Sequence, residues 1–239
     1  MRAAHGHHPV SPSEARRAPG PGRYDRRLTA DERRRRQRDR LLEAAAAVLA
    51  DSGLAGTTVS RVVRRIGVSR RTFYQHFRDV PHVLLEVLES SSLVLLRRVA
   101  AARDAEPELG GKLVAGIGTY LAVVGASAPL TRALYHEIRA VGPEHGRRLE
   151  AMRARFVREW RRELRAALRR GSPVRVPDDT VLYALVSAIE AVALQYIDRG
   201  DEGRIAEATM PLVDLARTVI FGEARRGPRR RAHAHASMS

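Results

Sequence analysis

The stretch Arg70-Arg-Thr-Phe-Tyr-Gln75 sets several hydrogen-bonding side chains on one side of a short helix. On a helical wheel Phe73 and Phe77 define the inner side, so Arg71, Thr72 and Gln75 point away from it, flanked by Arg70 and Tyr74. This is chemistry for duplex DNA. Arginine binds guanine bidentately, glutamine pairs with adenine, and threonine or tyrosine reaches a phosphate or a thymine methyl. The N-terminus of the same helix adds a positive dipole near phosphate.

No competing chemistry is laid out as well. Gly116-Ile-Gly118 hints at a nucleotide loop, but Leu121 occupies the third glycine position and no strand precedes it. Neither a nucleophile elbow nor a coupled carboxylate pair stands out, so no catalytic residue, cofactor or enzymatic activity is expected. The chain has no cysteine, which excludes disulfides, a thiolate nucleophile and a Cys-type zinc site, and fits a reducing cytoplasm. His5, His7, His8, His233 and His235 sit in polar tails without a preorganised geometry, so no metal is expected.

The elements that must hold the Arg70 helix are marked by local signals. Thr58 is placed to cap a helix whose Val59, Val62, Val63 and Ile66 repeat at helical spacing, and Gly67 supplies the turn. Ser69 caps the next helix, with Val68 and Phe73 spaced as a hydrophobic staple. Upstream, Thr29-Ala-Asp-Glu32 reads as a capping box. The helix it opens carries Leu41, Ala45, Val48 and Leu49 on one stripe and stops at Gly53. Three short helices with a glycine turn make a helix-turn-helix. Arg33 to Arg36, Arg38 and Arg40 crowd the start of the first helix, where cations oppose its dipole, so helix stability does not account for them; one reading is a solvated charge run balanced by Asp31, Glu32 and Asp39.

From Pro81 onward the helices lengthen, punctuated by Pro107, Pro129, Pro143, Pro173 with Pro177, and Gly200 with Gly203. The last carries a stripe from Ile205 to Ile220. No alternating strand pattern appears, so the reading is all-α. The net charge is +16 over 239 residues, divided as +4 on residues 1–27, +5 on 28–86, +3 on 87–222 and +4 on 223–239. An excess of this size favours a polyanionic partner. The four segments read as a basic arm, a helix-turn-helix domain, a larger helical domain and a basic tail. The polar, proline-rich opening has no apolar core of a signal peptide, and glycines with Pro129 interrupt the uncharged run Leu113 to Thr131, so a cytoplasmic protein with no membrane partner is expected.

The run from Thr57 to Phe77, especially Gly67-Val-Ser69, Thr72-Phe-Tyr74 and His76-Phe77, resembles the signature of the TetR family of bacterial transcriptional regulators. The resemblance is strong over residues 34 to 88. It implies base contacts from Arg70, Arg71, Thr72 and Gln75, and phosphate contacts from Thr58, Tyr74, His76 and Arg36. A lysine that commonly opens the fourth helix is here Val80, and Arg78 is expected to take its place. Beyond it the resemblance implies a larger C-terminal helical domain for ligand binding and dimerisation.

Helix 178–198 is apolar nearly all round, with Glu190 its only charge between Thr180 and Ile197, so it must be buried on several sides. Packing it with 205–221 against a second subunit would form a four-helix bundle and a homodimer. Such a dimer presents two recognition helices about 34–36 Å apart, or a multiple, to a pseudo-palindrome. Tyr120, Tyr135, His136, Trp160, Tyr183 and Glu190 put polar tips on apolar faces and are the candidates for a small-molecule pocket. For Glu190 the alternative is an arginine across the dimer. The leading expectation is a ligand-responsive DNA-binding repressor. The alternatives are a nonspecific architectural DNA-binding protein working through its basic tails and a small helical enzyme.

Overall fold

Thr29 and Glu32 close the start of the first helix reciprocally, the Thr29 amide donating to Glu32 Oε2 at 2.7 Å and the Glu32 amide to Thr29 Oγ1 at 3.2 Å. These bonds hold the Glu32 carboxyl below its usual range. The computed structural model describes residues 29–222. They fall into two units, divided between Gln37 and Arg38. The expected arm at 1–27 and tail at 223–239 lie outside the described residues.

The helices are α1 (Ala30–Gly56), α2 (Val59–Ile66), α3 (Arg70–Tyr74), α4 (Val80–Asp104), α5 (Leu109–Ala126), α6 (Ala128–Arg132), α7 (Pro143–Arg169), α8 (Asp179–Arg199) and α9 (Thr209–Phe221). A π-helical turn, Ala133–Glu137, and a 3-10 turn, Ile138–Val141, join α6 to α7, and a second 3-10 turn, Glu202–Ala208, leads into α9. No strand occurs among the described residues.

Each start and stop has a local cause. Gly53 leaves helical geometry at φ 64°, and α1 resumes for one more turn before Gly56. Thr58 Oγ1 accepts the Arg61 amide at 3.3 Å, Ser69 Oγ accepts that of Thr72 at 3.1 Å, and Asp79 Oδ1 accepts that of His82 at 2.8 Å. Gly67 turns α2 into α3 at φ 68°, its amide returning to the carbonyls of Val63 and Arg64. Leu41, Leu49, Val62, Phe73, Phe77 and Leu84 are buried together and lock α1, α2 and α3 to the start of α4.

α4 runs unbroken through residues 86 and 87, so the domain boundary expected there falls inside a helix. α5 packs on α4, α8 and α9, and α7 on α4 and α8. α5 and α8 are long and apolar enough to cross a membrane by length and composition. In α5, however, Leu113, Ile117, Tyr120, Leu121 and Val124 form a buried stripe against those neighbours. Ile205 and Ala208 are buried as their spacing predicts but belong to the 3-10 turn. The α-helix begins only at Thr209, which leaves Pro211 in its first turn, where a missing amide costs nothing.

A Cβ on Gly67 would meet nothing within 4 Å, so a substitution there is strained by its backbone alone. Gly67→Ala is expected to lower stability by about 1 kcal/mol through that left-handed φ, measured as a lower urea midpoint at unchanged slope.

Candidate functional site

The outer side of α3 is open. Phe73 is fully buried beneath it, and the Tyr74 ring stands edge-on to Phe73 at 5.5 Å while remaining 58% exposed. Arg70, Arg71 and Gln75 are exposed, and Thr72 is half-buried with its hydroxyl 3.0 Å from that of Ser69. The Arg70 guanidinium donates to Ser60 Oγ on α2, which ties the two helices of the motif together. Arg71 has no partner among the described residues.

The remaining candidates for phosphate contact differ in setting. Thr58 is exposed at the head of α2, and His76 is half-buried beside the Phe77 ring. Arg36 is exposed in the 29–37 unit. Arg78 is exposed, but its Nε lies 3.1 Å from Asp79 Oδ2 and so is drawn to its neighbour. Two members of the arginine crowd are fold ties: Arg38 pairs with Glu86 at 2.9 Å and lies over the Phe77 ring, and Arg40 donates to the Ile66 carbonyl at 3.3 Å. Their partners lie on α2, on α4 and in the segment after α3.

A second region lies among α4, α5, α7 and α8. Tyr120, Trp160 and Glu190, with Val99, Met152, Phe156 and Ile189, line a cavity of about 30 Å³. Tyr135 and Met152 also line a groove of about 580 Å³, whose other walls include Leu42, Ala46, Ser92, Leu95 and Val124. Met152 is therefore common to both spaces. Arg153 forks onto Glu190, with Nε at 3.1 and 3.2 Å from the two carboxylate oxygens and a closer contact from Nη2, and Tyr135 donates its hydroxyl to Glu190 at 3.3 Å. Glu190 is thus satisfied within its own chain, and no arginine of a second subunit is needed. Desolvation, reinforced by the neighbouring Glu190 carboxylate, pushes the Tyr120 and Tyr135 hydroxyls well above the ordinary phenol range.

The structure does not bring His136 and Tyr183 into the linings of these two spaces. His136 faces outward to Asp198 at 3.1 Å, and Tyr183 donates to Glu150 at 2.9 Å. His136 is set aside because it follows Tyr135 on one turn and so points elsewhere. The sequence pattern did not single out Arg153 on α7 or the buried Arg103. For Arg103 a signal existed: it continues the Leu95, Val99 stripe at a spacing of four. Among the described residues no cluster could hold a metal ion.

Residues 41–87 match the family model of bacterial regulatory proteins of the tetR family, and residues 108–216 match that of the tetracyclin repressor-like C-terminal domain. The chain belongs to the TetR family. Solved structures share its fold. The fatty acid degradation regulator FadR from Bacillus halodurans aligns at TM-score 0.66 with 16% identity, covering 75% of this chain and 93% of that one. FadR from Bacillus subtilis, in complex with stearoyl-CoA, aligns at 0.64 with 15% identity over 74% and 96%. A regulatory protein in the tetR family from Rhodococcus RHA1 aligns at 0.56 with 19% identity over 74% and 96%. This TetR-family protein is a DNA-binding regulator, with α2, Gly67 and α3 as its helix-turn-helix.

Arg153→Met is expected to cost roughly 3–5 kcal/mol by leaving the Glu190 charge buried and unpaired, and Arg153→Met with Glu190→Leu to recover much of that loss. Chemical denaturation of the four proteins of the cycle measures it. Because both raised phenols bind protons more tightly folded than unfolded, the unfolded chain loses protons first as pH climbs past about 10, and stability falls there. Tyrosinate absorbance should show two of the six tyrosines ionising only as the protein unfolds.

Proposed function

We propose that this TetR-family protein is a homodimeric, cytoplasmic repressor that reads a pseudo-palindromic operator and is released from it by a small molecule. The observation that carries the reading is Arg71: it is fully presented on a helix whose opposite side is locked by Phe73, with no competing partner among the described residues. A guanidinium held this way is free to fork onto guanine. Arg70, Thr72 and Gln75 complete the base-reading set, Thr58, Tyr74, His76 and Arg78 contact phosphates, and Arg36 contacts phosphate from the 29–37 unit.

Support for a dimer comes from apolar surface on α8 and α9, where Val181, Met210 and Leu215 are each more than 40% exposed in the single chain. Burying that face against its symmetry mate is the economical solution. The effector reaches the cavity from the 580 Å³ groove. A fold neighbour that holds stearoyl-CoA supports an effector with an apolar body. Occupancy favours a dimer conformation whose half-site spacing no longer fits the operator.

Selection from random duplexes should return a palindrome bound at least ~10³-fold more tightly than bulk DNA at physiological salt. No preference over random sequence would sink the reading. Arg71→Ala should cost about 1–3 kcal/mol at one base pair and relax the choice there, whereas Arg36→Ala should weaken every sequence alike and lower the salt slope by about one. Competition binding at several salt concentrations separates the two effects.

A further inference from the structure

Arg103 is an expensive residue to place where it stands. It is 4% exposed, and its Nε and Nη1 have no hydrogen-bond partner. Buried donors of this kind call for a specific partner. Its one carboxylate, Glu159, lies 3.5 Å from Nη2 and is held more closely by Arg162 at 2.5 Å. The neighbouring Lys112 repeats the pattern, 3.8 Å from Glu163 while Arg170 approaches the same carboxylate at 3.4 Å. Four cations therefore share two carboxylates, and the cluster is short of negative charge.

The side chain is also fixed with respect to the cavity. Lys112 Nζ donates to the Arg103 carbonyl at 3.2 Å. The stem of Arg103 lies flat on α5 at Gly116, where an added Cβ would come within 3.1 Å of its Cγ. Its guanidinium stacks 5.1 Å from the Trp160 ring. Gly116, Trp160 and Val99, one turn before Arg103, are all walls of the 30 Å³ cavity. Arg103 thus stands with two open donors directly behind the wall that Gly116 and Trp160 give the cavity, whereas Glu190, already paired with Arg153, lines it.

We infer that Arg103 receives the carboxylate of an apolar organic acid whose hydrocarbon body lies along Ile117, Phe156 and Trp160. The inference rests on the regulator reading above and names the chemistry of its effector. Arg153 and Trp160 are seven residues apart on α7, or about 10 Å along a helix, which suits a body of roughly eight carbons. A carboxylate at either free nitrogen makes a charge-assisted hydrogen bond that the ligand-free protein lacks. The cavity holds about one water, so the acid enters by displacing Met152, an adaptable side chain already facing the larger groove.

Calorimetry on the full chain with hexanoate, octanoate and decanoate, each against its primary amide and octanoate also against octanoyl-CoA, tests this. The best acid should bind at least ten-fold more tightly than its amide, and R103Q should erase that preference without weakening the amide. Ligand-free R103M should melt no lower than the parent, since it replaces an under-paired buried charge by an apolar chain of similar reach. Equal binding of acid and amide, a preference that survives R103Q, tighter binding of octanoyl-CoA, no binding of any acid, or an R103M protein that fails to fold would each overturn the assignment. Amide binding without acid preference leaves the effector reading intact. Failure to select a palindrome sinks that reading separately, whatever the acids do.

Discussion

A helix of five residues has no stability of its own, so everything α3 presents depends on the burial of one ring, Phe73. Phe73 sits with Phe77, Leu41 and Leu84 in a core drawn from three other elements, and this fixes which side of α3 faces out. The caps set by Thr58, Ser69 and Asp79 then determine where the turns fall. Arg71 stands exposed on the side of α3 away from Phe73 as a result.

The larger body follows a different logic. Its core is apolar along α5 and α7 but is interrupted by a saturated cluster, Tyr135, Arg153 and Glu190, and by an unsaturated one, Arg103 with Lys112. Charges placed inside a helical core weaken it unless they are fully paired. The first cluster meets that condition within the chain and contributes Glu190 to the cavity lining, whereas Arg103, behind the cavity wall, keeps two donors open.

How much of this was legible in the sequence depended on distance along the chain. Thr58 with Arg61, Ser69 with Thr72, and Gly67 with Val68 are signals complete within a few residues, and the motif they build is the one observed. Arg153 meets Glu190 across 37 positions and Arg103 meets Glu159 across 56, separations at which a helical wheel can only report that an arginine sits among other polar residues. Tyr135 and His136 looked equally suited to a pocket, but adjacent residues on a helical turn face different directions, and only packing decides which points inward. The apolar stripe from Ile205 continues across the 3-10 turn into α9, and Pro211, suited to a first turn, is the residue that marks where the α-helix starts.

The turn Ala133–Glu137 joins two distant places. Tyr135 hangs from it toward Glu190, and two residues later Glu137 accepts the amide of Leu54 at 2.6 Å, just after the break in α1 at Gly53. A π turn carries one residue more than its α counterpart, and expelling that residue would rotate everything beyond it by about 100°. Tyr135 and Glu137 cannot both keep their bonds through such a slip. One turn of chain therefore ties the polar lining beside Glu190 to the break in α1, and its geometry serves both bonds at once.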